Sequence, residues 1–125
     1  MKKAFIKFKS LLILGAVLVM VSSCQYDEVL PQVVELPDDP VSYELDIQPF
    51  FDAKCTQCHA GSIAPNLSAG VSYDELINNN WINTTTPASS PLYQSIDLGG
   101  SMETYASPTE RALLLKWIEQ GASNN

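Results

Sequence analysis

Hydrophobic and polar positions divide this chain into three stretches with different patterns. Residues 11–21 are an unbroken run of apolar and small residues behind a basic lead, Lys2, Lys3, Lys7 and Lys9. Basic, then apolar, then small residues at Ser22 and Ser23 is the order of a secretory signal peptide. The apolar core is shorter than the ~20 residues that a stable bilayer span needs, so residues 1–23 are read as a cleaved leader rather than a retained anchor. Residues 25–42 hold three prolines and five acids with no helical period, and Pro37-Asp38-Asp39-Pro40 is turn and breaker chemistry. This stretch reads as an extended tether that reaches at most ~60 Å at ~3.3 Å per residue. Residues 43–125 carry short apolar clusters set between helix start and stop signals, and form the folded domain.

Those signals predict about four short helices. Asp46 is placed to cap a first helix, with Pro49 in its first turn, where backbone N–H groups have no helical partner anyway. That helix carries Ile47, Phe50 and Phe51 toward Cys55. Ser72-Tyr73-Asp74-Glu75 has capping-box spacing and opens a second helix through Leu76 and Ile77, ended by Asn78-Asn79-Asn80. Ser90-Pro91 opens a third through Leu92, Tyr93 and Ile96. Ser107-Pro108-Thr109-Glu110 opens the last, which places Leu113, Leu114, Trp117 and Ile118 on one apolar stripe and stops at Gly121. No stretch alternates with period two, so the fold class is all-α. Phe50, Phe51, Leu67, Tyr93, Leu114, Trp117 and Ile118 are the expected core.

Charge sharpens once the leader is set aside. Lys54, Arg111 and Lys116 then face fourteen acidic residues, a formal charge of −11. Nucleic acid, whose binding needs Lys and Arg to displace counterions, is excluded as a partner. A protein partner with a basic docking surface suits such a field. Val21-Ser22-Ser23-Cys24 resembles a bacterial lipobox, which implies that Cys24 is acylated and becomes the first residue of the mature chain. Several acyl chains at ~0.8 kcal/mol per buried methylene anchor a protein firmly. Asp27 and Glu28 resemble acidic surface-export signals, so the expected location is extracytoplasmic, on an outer membrane or cell surface.

The chemistry sits in Cys55-Thr56-Gln57-Cys58-His59. Cys-X-X-Cys-His is a site for covalent haem attachment: the two thiols add across the haem vinyl groups and the adjacent His lies under the iron. A thioredoxin-like pair needs a preceding strand and a βαβ pattern. A tetrahedral zinc site needs a fourth ligand, which no further Cys or His beyond the acylated Cys24 supplies. A disulfide enclosing two residues restrains the unfolded chain little and leaves His59 unexplained. Roughly 80 residues also bury little core unaided, a gap that a large apolar cofactor fills. After the leader, His59 is the single histidine and Met102 the single methionine. Met with His is the usual axial pair of an electron-carrying haem. Met102 lies in a polar loop, residues 97–105, where Gly99 and Gly100 allow unusual backbone.

Residues 42–125 resemble a bacterial class I monohaem cytochrome c. The likeness runs through Asp46-Ile47-Gln48-Pro49-Phe50-Phe51, Cys55-Thr56-Gln57-Cys58-His59, Ser90-Pro91-Leu92-Tyr93, Met102 and Leu115-Lys116-Trp117-Ile118-Glu119-Gln120-Gly121-Ala122. It implies a small cytochrome c fold around one covalent haem c, with Cys55 and Cys58 attached, His59 proximal and Met102 distal. It also implies that the last helix packs across the first and that the Pro65 carbonyl accepts the His59 ring N–H. Trp81 and Tyr105 are candidates to meet the haem propionates. The sequence departs from many relatives in one place: Glu103 stands after the axial Met, where they have Pro. The resulting expectation is an electron carrier rather than an enzyme, working between extracytoplasmic redox proteins. The alternatives are a haem domain with an open iron face, acting as gas sensor or peroxidase-like enzyme, and a haem-free lipoprotein that serves as an interaction module.

Overall fold

The computed structural model describes residues 34–125; the leader, Cys24 and the tether up to residue 33 lie outside the described residues. The described part is all-α, with no strand among its residues: α1 (Gln48–Lys54), α2 (Ser72–Asn78), α3 (Pro91–Ile96) and α4 (Pro108–Glu119). A π-helical turn, Tyr43–Ile47, runs directly into α1, and single 3-10 turns at Pro87–Ser89 and Glu103–Tyr105 flank α3. No described helix is long and apolar enough to cross a membrane.

The first helical segment begins earlier than the spacing predicts, and Asp46 is not its cap. Ser42 holds that role in extended backbone, its Oγ accepting the Leu45 N–H at 3.2 Å. Asp46 answers from inside the turn, its Oδ2 accepting the Ser42 N–H at 2.8 Å. This is a capping box stretched by one residue, and the extra residue matches the wider π turn. Tertiary packing stabilises the turn: the Tyr43 ring lies 5.1 Å from Trp117 of α4 and 5.2 Å from Tyr73 of α2. Aromatic contacts of this kind add about 0.5–1.5 kcal/mol beyond the area they bury. The first and last helical segments therefore meet through Tyr43 and Trp117.

Ser72 also departs from its predicted role. Val71 precedes α2 without a side-chain cap, and the Ser72 hydroxyl points into the interior. It donates to Gln48 Oε1 at 2.5 Å and accepts from Tyr43 Oη at 2.7 Å. The Gln48 amide in turn donates to the Leu67 carbonyl at 3.1 Å and to Asp52 Oδ1 at 2.8 Å. A buried hydroxyl offered two partners with full burial gains more there than at a solvated helix end. The network joins the first segment, α2 and the loop that follows His59.

The later helices start where the sequence predicts. Ser90 precedes Pro91, but its buried Oγ accepts the Asn83 N–H at 2.9 Å rather than capping α3. At α4 both halves of the capping box form, Ser107 Oγ accepting from Glu110 N at 3.3 Å and Glu110 Oε2 from Ser107 N at 2.7 Å. The helix ends at Glu119 with Gln120 as its C-cap, and Gly121 follows with a φ of +98°, which suits glycine. Leu114, Trp117 and Ile118 are fully buried, joined by Phe50, Phe51, Leu67, Leu76, Leu92 and Ile96, whereas Leu113 and Tyr93 are only partly buried.

Residues 37–42, at the end of the acidic segment, lie fastened along α4. Lys116 Nζ donates to the carbonyls of Pro37 and Asp39, and Val41 N–H donates to Gln120 Oε1 at 2.9 Å. Asn125 meets the same region, its carbonyl accepting from Ser42 Oγ at 2.7 Å and Glu44 N at 3.0 Å.

Candidate functional site

A mainly apolar cavity of about 410 Å³ opens between the end of α1, the loop after His59, α3 and the loop of Met102. Pockets that hold cofactor-sized ligands run from about 300 to 1,000 Å³. Phe50, Phe51, Leu67, Leu92, Ile96 and Leu114 form its apolar walls. Cys55, Cys58 and His59 line one part and Met102 another.

Local backbone chemistry turns the pentapeptide onto that wall. Cys55 N–H donates to the Phe51 carbonyl at 2.8 Å, prolonging α1 by a turn. The Cys55 carbonyl then accepts from Cys58 N at 3.1 Å and His59 N at 2.9 Å. Two overlapping turns thus bring the side chains at 55, 58 and 59 to the same cavity. Both thiols are free, Cys55 partly buried and Cys58 exposed. Burial pushes the Cys55 thiol up to about 11; the Glu110 charge adds to the rise and Lys54 opposes it. Such a thiol stays neutral at pH 7, unlike the depressed thiols of disulfide-exchange enzymes.

His59 is held by its own loop. The Leu67 N–H donates to the His59 carbonyl at 2.7 Å, closing the loop back on the motif. The Pro65 carbonyl lies 3.1 Å from His59 Nδ1. A carbonyl can only accept, so Nδ1 is the donating nitrogen and Nε2 is the one left for a ligand. The same bond fixes the ring plane.

The Met102 loop is packed against the end of α3. Met102 N–H donates to the Ser95 carbonyl at 2.7 Å, and Gly100 N–H to the Asp97 carbonyl at 2.8 Å. Gly99 has a φ of +83°, whereas Gly100 is required for a different reason. A Cβ on Gly100 would stand 2.3 Å from the Gln94 carbonyl oxygen and 2.4 Å from that of Ser95. Glu103 Oε2 accepts the Gly99 N–H at 2.8 Å, across the loop. Met102 lines the cavity and is 37% exposed, and Tyr105 and Ile63 are further exposed residues of its lining. Trp81 also lines the cavity and is half-buried.

Sequence reasoning missed one pair at this site. Lys54 lines the cavity and its Nζ lies 2.7 Å from Glu110 Oε2. Burial pushes the Glu110 carboxyl up, but hydrogen bonds from Lys54 and from the Ser107 N–H and hydroxyl outweigh it, so the net shift is downward. The pair links the residue before Cys55 to the cap of α4. Nothing local in the sequence joins positions 56 residues apart.

No family model, curated protein or solved structure matches this chain. The donor set must therefore speak for itself. An imidazole with a free Nε2, a thioether, and two thiols of which Cys55 at least is neutral share one apolar cavity. No three His, Cys, Asp or Glu side chains cluster as a metal site among the described residues. An apolar macrocycle bound through its periphery and its central iron uses all four groups. The residues present fit a haem.

Proposed function

We propose that this protein is a monohaem c-type cytochrome that carries single electrons between extracytoplasmic redox partners. One observation carries the reading: Cys55, Cys58 and His59 share an apolar cavity with Met102, which lies 43 residues further along the chain. Haem c, when bound, supplies an iron that cycles between Fe(III) and Fe(II). Cys55 and Cys58 would hold it covalently, and His59 Nε2 and Met102 Sδ would ligate its iron. The Pro65 carbonyl keeps His59 in the tautomer that can ligate. Phe50, Phe51 and Leu114 exclude water, which together with a thioether ligand favours a raised potential. Acylation at Cys24 would tether the domain near its partners and raise its effective concentration there. Fourteen acids against three basic residues in the mature chain favour partners with basic docking surfaces.

Haem staining after denaturing electrophoresis tests the attachment, because covalent haem alone stays with the band. Protein exported in a haem-attaching bacterial host is expected to stain, and Cys55→Ser/Cys58→Ser to lose the stain. An unstained wild-type band from such a host would support the haem-free interaction module instead. The exposure of Met102 favours a second reading, in which the iron face opposite His59 is open to small ligands. Carbon monoxide binding to the reduced native protein would select it over the carrier.

A further inference from the structure

We propose that Glu103 is the positioning residue of the Met102 loop: its carboxylate, by accepting the Gly99 N–H, closes the loop and holds Met102 against the cavity. The inference rests on the reading of Met102 given above and assigns a task to the residue after it.

The two limbs of the loop are held in different ways. The returning limb is anchored to α3 through the Met102 N–H and the Ser95 carbonyl, and through the tight seat of Gly100 on the Gln94 and Ser95 carbonyls. The outgoing limb is held at its base, where Asp97 N–H donates to the Tyr93 carbonyl and the Asp97 carbonyl accepts from Gly100 N–H, and beyond that it packs little. Leu98 is 75% exposed, and no atom lies within 4 Å of the place a Gly99 Cβ would occupy. Packing holds so exposed a segment weakly, and a glycine there adds the largest backbone freedom of any residue. What ties it to the returning limb is Glu103, whose side chain reaches Gly99 while its own backbone is fixed to Gly100. Its N–H donates to the Gly100 carbonyl at 3.2 Å and its Oε2 accepts from Gly99 N at 2.8 Å. The two bonds staple the loop on either side of Met102. A methionine side chain has three rotatable bonds, so its sulfur can be placed reproducibly only if its backbone is fixed. The bond to a carboxylate is also of the stronger, charge-assisted kind.

Amide hydrogen exchange by NMR on the full-length haem-loaded protein reads the clamp at Gly99 and Met102. Glu103→Ala is expected to speed exchange at both by about tenfold or more, the loss of one bond to a charged acceptor. Glu103→Gln, whose amide oxygen can accept the same bond, keeps most of the protection. Glu103→Asp, one methylene shorter, resembles the alanine variant; if Glu103→Ala fails to fold, the contrast between Asp and Gln decides the question. A second readout separates positioning from general stability. In Glu103→Ala the far-red methionine–iron charge-transfer band disappears at a lower denaturant concentration than the helical circular dichroism, whereas in Glu103→Gln the two disappear together. Unchanged Gly99 exchange in Glu103→Ala, or loss of band and helix together in that variant, overturns the proposal. A wild type without the band, in which Glu103 still protects Gly99 and Met102, refutes iron ligation and upholds the clamp.

Discussion

Gly100→Ala tests the link between loop packing and the proposed axial ligand. An alanine Cβ would sit 2.3 Å and 2.4 Å from two carbonyl oxygens and 2.6 Å from the Ser95 carbonyl carbon. These are backbone atoms at the end of α3, so no side chain can swing aside to make room. Either α3 and the loop are forced apart or the loop lifts as a unit. Forcing a methyl into a closed site costs about 1–3 kcal/mol. Lifting breaks the Met102–Ser95 bond, at about 1 kcal/mol, and uncovers what the loop packs against. The two routes give a loss of roughly 1–3 kcal/mol. A domain of this size shifts its Tm by roughly 4–8 °C per kcal/mol, so Tm falls by at least about 4 °C. The second route also withdraws Met102 from the cavity and weakens the methionine–iron band. Thermal unfolding followed by circular dichroism, with the visible spectrum recorded alongside, separates the two. A variant with Tm within about 2 °C of wild type and an intact band would refute the reasoning.

Two further predictions concern the scaffold. Ser72→Ala removes the acceptor of Tyr43 Oη and the donor to Gln48 Oε1, leaving two interior groups unpaired, and is expected to cost about 1–3 kcal/mol in urea denaturation with an unchanged m-value; a loss below ~0.5 kcal/mol would mean that Ser72 is a replaceable helix-start residue after all. The Glu110 carboxyl titrates below its unfolded value, so its stabilising contribution is complete above the ordinary carboxylate range and is lost as pH falls through its lowered folded value. The urea midpoint of wild type should therefore fall more steeply on acidification below about pH 4.5 than that of Glu110→Gln; parallel curves would remove Glu110 from the acid response.

Legibility in the sequence follows the range of the interaction that decides each position. At Ser107 the cap, the proline after it and Glu110 lie within four residues, and no distant group competes, so the start of α4 was readable. Ser72 has the same local pattern, but Tyr43 and Gln48, 29 and 24 residues away, claim its hydroxyl. Asp46 reads as a cap until Ser42 is seen to hold that place, because the burial of Tyr43 draws the helix start backward. The site divides likewise. Cys55, Cys58 and His59 are contiguous and their shared direction follows from two turns, so the motif alone revealed them. Met102 was visible by inventory, as the single methionine after the leader. The seat of Gly100, the Lys54–Glu110 pair and the grip of Glu103 on Gly99 were not visible. Each depends on where one segment lies against another, which neither propensity nor spacing encodes.

The central claim is tested most directly by the reduced-minus-oxidised visible spectrum of the purified protein, recorded on wild type and on Met102→Ala. The account predicts c-type bands in both, with a far-red methionine–iron band in oxidised wild type that is absent from the variant. A wild-type spectrum without c-type bands, from a host that attaches haem, would contradict the account; survival of the far-red band in Met102→Ala would contradict the ligand assignment alone.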